Sequence, residues 1–190
     1  MKTFFSIMIH WPLFLLLNIK ANLFKNKAAL LWYEDAANFP NVNFFQLLAK
    51  RPYYRDILYY RCSGIAVAIL RRLYPSYTHW SVAHPRKMIL GGGVYLDHPY
   101  CSVLNAKKIG RNFKIKHMIT VGNSNDGIPI IGDNVSVGCG AVIAGDIVVG
   151  DNVNVGANCV IVKDVPSNCT VVGNPAYIVK LNGERVNIKL

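Results

Sequence analysis

Hydrophobic positions recur every six residues between Val103 and Val165. Ile131, Val137, Ile143, Val149, Val155 and Ile161 form one ladder of β-branched residues. A second runs two positions earlier, through Val135, Ala141, Ile147, Val153 and Cys159, to Val165. Glycine follows the first ladder at Gly132, Gly138, Gly150 and Gly156, and polar corners recur at Asp133, Asn134, Asp151 and Asn152. An earlier frame keeps the period through Val103, Ile109, Ile115 and Val121. The step from Val121 to Ile131 is ten residues, so four extra residues are expected to bulge out at about 123–128. A helix repeats about every 3.6 residues and a flat strand every 2, so neither explains this pattern. It predicts short strands separated by sharp turns, each coil stacked on the last. β-Branched residues suit the strands, and Gly and Asn reach left-handed corners cheaply. An ordinary sheet with Gly/Asn turns would not keep every rung.

The N-terminal half lacks this period. Phe4 to Ile19 is apolar but interrupted by His10 and Pro12, and is short for a spanning helix, which needs about 20 residues. Three readings stay open: a helix buried in an oligomer, an interfacial membrane helix flanked by Lys20, Lys25 and Lys27, or a span or signal. Asn43 is placed to cap a short helix over 44–50. Pro52 suits the first turn of a longer one, Tyr53 to about Leu73, with Tyr54, Ile57, Leu58, Arg61, Ile65 and Ile69 at helical spacings. Arg71 and Arg72 favour its C-terminus and Pro75 lies beyond it. Tyr74 to Met88 reads as a linker. The expected domains are a helical basic region over 1–83, a repeat domain over 84–176 and a tail over 177–190.

Charge sharpens this division. Residues 1–90 hold twelve Lys/Arg and three acids, which is +9 of the net +11. The repeats are nearly neutral, and no recognition motif accompanies the charge, so a nucleic-acid role is excluded as the main reading. A basic, apolar N-terminal part fits an anionic membrane surface or an acidic partner better. The five cysteines show no CxxC spacing. All are expected reduced, which favours the cytoplasm and argues against a metal site.

Candidate chemistry sits where the repeat begins, at Asp97-His98. A hydroxyl needs a positioned base to attack a thioester, and imidazole, with a pKa near 6.5, suits that task. A nearby carboxylate orients the ring and stabilises its cation. An Asp-His pair alone is weak, because a single His is more often structural.

Four stretches carry a resemblance: LDHP at Leu96–Pro99, FKIKHMITVGN at Phe113–Asn123, GCGAVIAGDIVVGDNVNVGANCVIVKDVP at Gly138–Pro166 and VVGNPAYIVK at Val171–Lys180. Over about residues 84–180 the chain resembles the serine acetyltransferase branch of the hexapeptide-repeat acyltransferases. The resemblance implies an α+β chain: an N-terminal helical segment followed by a left-handed parallel β-helix of hexapeptide repeats. It also implies a homotrimer, acetyl-CoA as donor and direct transfer without an acyl-enzyme; no metal is expected, from the cysteine spacing above. By motif position it makes His98 the general base, places Asp97 at the acceptor site, and sets His117 beside the acceptor pocket. The family's acetyl-CoA lies in a groove between neighbouring β-helices. That carries cofactor contacts to Gly122, Gly140, Ala141, Ala157, Lys163 and Lys180. The glycines equally well only turn corners, and Lys163 equally well is a solvated charge.

Two departures bear on the acceptor. Val82 stands where the family usually carries an Asp before the His-Pro that opens the repeat. The loop NSNDGIP lacks the family's Arg-His pair, and no basic residue lies between Met118 and Lys163. A guanidinium matches an amino-acid carboxylate. A sugar hydroxyl needs no such clamp, and Asn123, Ser124 and Asp126 offer hydrogen bonds suited to a polyol. The expectation is therefore an O-acetyltransferase acting on a glycan in surface-polysaccharide synthesis, with peripheral contact at the inner membrane. L-Serine acetylation and a non-catalytic scaffold are the alternatives.

Overall fold

The computed structural model describes residues 34–39, 47, 51–62, 65–75, 80–82, 88–124 and 127–190. The apolar run 4–19, the helix at 44–50 apart from Leu47, His84-Pro85 and Asp126 lie outside them. The chain divides into two units, Met1–Thr78 and His79–Leu190. No helix among the described residues is long and apolar enough to cross a membrane.

In the first unit, α1 (Pro52–Arg61) starts on its proline, whose missing N–H costs nothing in a first turn. Tyr54, Ile57, Leu58 and Tyr59 are buried along it. The single helix expected over 53–73 is in fact two. Cys62 is extended (φ −109°, ψ 152°) and ends α1, and α2 (Ile65–Leu73) starts afresh. The break resets the helical phase: Val67 and Leu70 turn inward, while Ile65 and Ile69, expected on the buried face, are 82% and 43% exposed. Arg61 stays buried because it forks onto Asp35, with Nε to Oδ2 at 2.7 Å and the second guanidinium N–H to Oδ1 at 3.0 Å.

The second unit is a left-handed parallel β-helix. Sheet I stacks β1 (Ser81–Val82), β4 (Val103–Leu104), β7 (Thr120–Gly122), β10 (Val142–Ala144) and β13 (Val160–Ile161). Sheet II stacks β2 (Ile89–Leu90), β5 (Lys108–Ile109), β8 (Ile130–Ile131) and β11 (Val148–Val149). Sheet III stacks β3 (Tyr95–Leu96), β6 (Lys114–Ile115), β9 (Ser136–Val137), β12 (Asn154–Val155) and β14 (Cys169–Val172). It continues antiparallel into β15 (Tyr177–Leu181) and β16 (Glu184–Lys189).

Both ladders from Ile131 to Val165 point inward, none of their members more than 7% exposed. Partners lie 18 residues apart where the repeat is regular (Val142 with Val160) and 22 apart where the bulge intervenes (Thr120 with Val142). The bulge closes as a tight turn, with Ser124 N–H donating to the Gly127 carbonyl at 3.0 Å and Gly127 N–H returning at 3.1 Å. The first rung differs from expectation. Val103 is 42% exposed and Leu104 is fully buried, because the step from Leu104 to the next inward residue, Ile109, is one residue shorter than the period. In a strand, one residue of slip exchanges the faces. β1 pairs with β4, so the repeat begins before residue 84, and 177–190 is a hairpin on sheet III rather than a tail.

The corner between sheets II and III shows why Asn recurs. Asn112, Asn134, Asn152 and Asn168 all sit at φ of 55–59°. Each amide in turn donates to the next: Asn112 to Asn134 at 2.9 Å, Asn134 to Asn152 at 2.9 Å, Asn152 to Asn168 at 2.8 Å. Beside this ladder, Asp133 and Asp151 accept the backbone N–H groups of Arg111 and Asp133 at 2.8 and 2.7 Å.

Candidate functional site

The outer face of sheet III holds a groove of about 380 Å³. Its shape follows from register. Outward positions alternate with the inward ladder, so Tyr95, Lys114, Ser136, Asn154, Thr170, Lys180 and Arg185 fall in one row across adjacent strands. Asp97 N–H donates to the Ile115 carbonyl at 2.9 Å, and this starts a second row of Asp97, Lys116, Gly138 and Gly156. A Cβ on Gly138 would lie 2.6 Å from the Ala157 nitrogen, so the floor at that point must be glycine. The charged residues of the lining are Asp97, Lys114 and Lys116.

His98 follows Asp97, which lines the groove, and is not itself in the lining. The turn after β3 puts it at φ 52°, a left-handed conformation unusual for a non-glycine residue. Its side chain is 62% exposed, and its ring stacks on Tyr100 with centroids 6.1 Å apart. Nε2 is 3.7 Å from Asp97 Oδ1, close enough for electrostatic support but too long for a hydrogen bond. Val82, at the position where the family carries an acid, pairs with Leu104 in sheet I.

The remaining expected residues divide between two places. Ala157 lines the groove, and Lys180 lies on the same sheet at its far end. His117 and Gly140 occupy the corner between sheets III and I, where Gly140 N–H donates to the His117 carbonyl at 3.1 Å. Gly140 has φ 70°, and a Cβ there would meet Asn158 Oδ1 at 2.1 Å, so its glycine serves the corner. Gly122, Asn123 and Lys163 belong to the opposite end of sheet I, with Gly122 paired to Ala144. Ala141 lies on the inward ladder beside Gly140. Its methyl group points into the coil at 0% exposure, and its carbonyl accepts Thr120 N–H at 3.0 Å. Lys114 and Lys116 were not among the expected site residues. Their signal was present as K-I-K, two outward lysines about an inward isoleucine, within FKIKH.

Residues 128–163 match the family model described as bacterial transferase hexapeptide (six repeats). Within the β-helical unit, these residues are hexapeptide repeats. Among its relatives, serine acetyltransferase from Synechocystis is 46% identical over 109 residues, covering 55% of this chain and 43% of that protein. The chloroplastic serine acetyltransferase 1 of Arabidopsis thaliana is 46% identical over 101 residues, covering 50% of this chain and 32% of that protein. The chain therefore spans less than half the length of these relatives. The solved serine acetyltransferase of Neisseria gonorrhoeae superposes with a TM-score of 0.64 at 27% identity, covering 84% of this chain and 67% of that one. The same protein in complex with serine gives 0.61 at 28% identity. The hexapeptide-repeat unit thus shares its architecture with these proteins.

Proposed function

We propose that this hexapeptide-repeat domain transfers an acetyl group from acetyl-CoA to the hydroxyl of L-serine. The observation that carries the reading is Asp97 in the lining of the sheet III groove with the His98 ring 3.7 Å from it, in a chain whose relatives above are serine acetyltransferases. These relatives support the hydroxyl of serine over the sugar hydroxyl expected from the loop. In the proposed reaction His98 takes the hydroxyl proton as the oxygen bonds to the thioester carbon. The C–S bond then breaks, and the imidazolium returns the proton to the departing thiolate. Asp97 Oδ1 lies 3.7 Å from Nε2 of this ring. Backbone N–H groups of the small-residue coils stabilise the oxyanion.

The groove suits the donor. From β3 to β15 is five strand steps, about 24 Å at roughly 4.8 Å per step, an extended track for a long thioester. Lys180 and Arg185 lie at its far end, where they favour phosphates. A homotrimer, as implied by the resemblance, is part of the proposal.

The sugar reading stays second, supported by the cation-free stretch from Met118 to Lys163. Thiol release from acetyl-CoA tests both, with L-serine and a saccharide panel as parallel acceptors. Turnover is expected with L-serine, and His98→Ala is expected to slow it by about 10²–10⁴-fold. Turnover with a saccharide alone would overturn the serine assignment. An undiminished His98→Ala rate would overturn the mechanism.

A further inference from the structure

We infer that Lys116, backed by Lys114, holds the carboxylate of an amino-acid acceptor and so supplies the cation that the loop lacks. The inference rests on the serine reading above and gives it a specificity element. Three observations carry it. Lys116 follows Asp97 in the same outward row, on the neighbouring strand, so their backbones are about 5 Å apart. Both lysines are exposed and line the groove, and neither forms a salt bridge among the described residues. On the other side of Lys116 the row continues with Gly138, which no side chain can occupy without a shift. Gly138 itself presents no side chain to the ammonium, and the Cβ position there is filled by the Ala157 backbone nitrogen at 2.6 Å.

This arrangement matches a hydroxy amino acid group by group. The acceptor ammonium faces the Asp97 carboxylate, its carboxylate faces Lys116, and its hydroxyl faces His98. A lysine ammonium acts as a point charge, so it needs no bidentate geometry to do this. A polyol has no charge to satisfy the Asp97 and Lys116 pair, and would leave both without a matched partner.

The test compares L-serine with L-serinamide, which keeps the hydroxyl and ammonium and lacks the carboxylate. The wild type is expected to favour L-serine by at least tenfold in kcat/KM. Lys116→Gln is expected to cut that preference about tenfold, through the KM for L-serine, and Lys116→Arg to restore most of it. A rise in the KM for acetyl-CoA in place of that for L-serine would assign Lys116 to the donor phosphates and overturn the proposal. An unchanged serine-to-serinamide ratio would do the same. Calorimetric titration with L-serine and L-serinamide in the absence of acetyl-CoA separates the two readings. Binding of L-serine that Lys116→Gln weakens, in a protein that releases no thiol, would sustain the clamp and remove the catalytic reading. No preference for L-serine over the amide in binding would remove the clamp even if turnover is found.

Discussion

Replacing Asn134 tests the corner on which the coil stack depends. Its amide donates to Asn152 and accepts from Asn112, both at 2.9 Å, and its backbone sits at φ 57°. Asn134→Ala removes both hydrogen bonds. At about 0.5–1.5 kcal/mol net each, and near the low end because the site is exposed, they contribute about 1 kcal/mol together. Alanine also pays the left-handed penalty, about 1–2 kcal/mol. The expected loss is about 2–3 kcal/mol. Asn134→Gly loses the same hydrogen bonds but fits the backbone angle. Its cost is about 0.4–1 kcal/mol of extra freedom in the unfolded chain. Glycine should therefore be the milder change, by about 0.5–1 kcal/mol, reversing the order seen at ordinary strand or helix positions. Urea unfolding of the full chain, followed by far-ultraviolet circular dichroism, measures both. Equal stabilities, or an alanine variant more stable than the glycine variant, would refute the argument that this corner selects its residue through backbone angle.

Two further predictions concern the cores of the two units. Val149 is fully buried between the ladders, so Val149→Lys forces an unpaired charge inside and should cost several kcal/mol, read as a lowered thermal midpoint; an unchanged melt would refute the inward assignment. In the first unit, burial pushes the Tyr59 hydroxyl up from 10.0 to about 12, against the opposing pull of Arg55. The folded state then holds this proton more tightly than the unfolded one. The stabilisation is complete below pH about 10 and fades as pH rises toward about 12. Urea midpoints should fall across that window, and Tyr59→Phe should make the fall shallower. An identical slope in the variant would show that another group carries it.

The coil stack was legible because its interior admits little variation. A narrow core accepts one β-branched rung after another, so the period survives in the sequence from Ile131 to Val165. The first rung departs from the period where the turn between Leu104 and Ile109 is one residue short, since a period says nothing about the turns between its regular parts. The helical half was harder. A continuous helix and two helices broken at Cys62 share most of their apolar spacings, and only the backbone at Cys62 separates them. The Asp97-His98 pair was found from its chemistry together with a resemblance. Lys114 and Lys116 were missed because outward positions on a solenoid are free to be polar, and a lysine there looks like ordinary solvation until register sets it beside Asp97.

The hairpin of β15 and β16 has a consequence for self-association. Stacked parallel strands are a template for further strands, and an uncapped sheet end invites growth into fibres. Here β14 is covered by an antiparallel partner, which interrupts the parallel ladder. The outermost strand, ERVNIK, then presents Glu184, Arg185 and Lys189 at the edge. Charges at an edge oppose the pairing of a second molecule. The β15–β16 hairpin thus interrupts the parallel stacking of sheet III, limiting a repeat whose own geometry has no natural end.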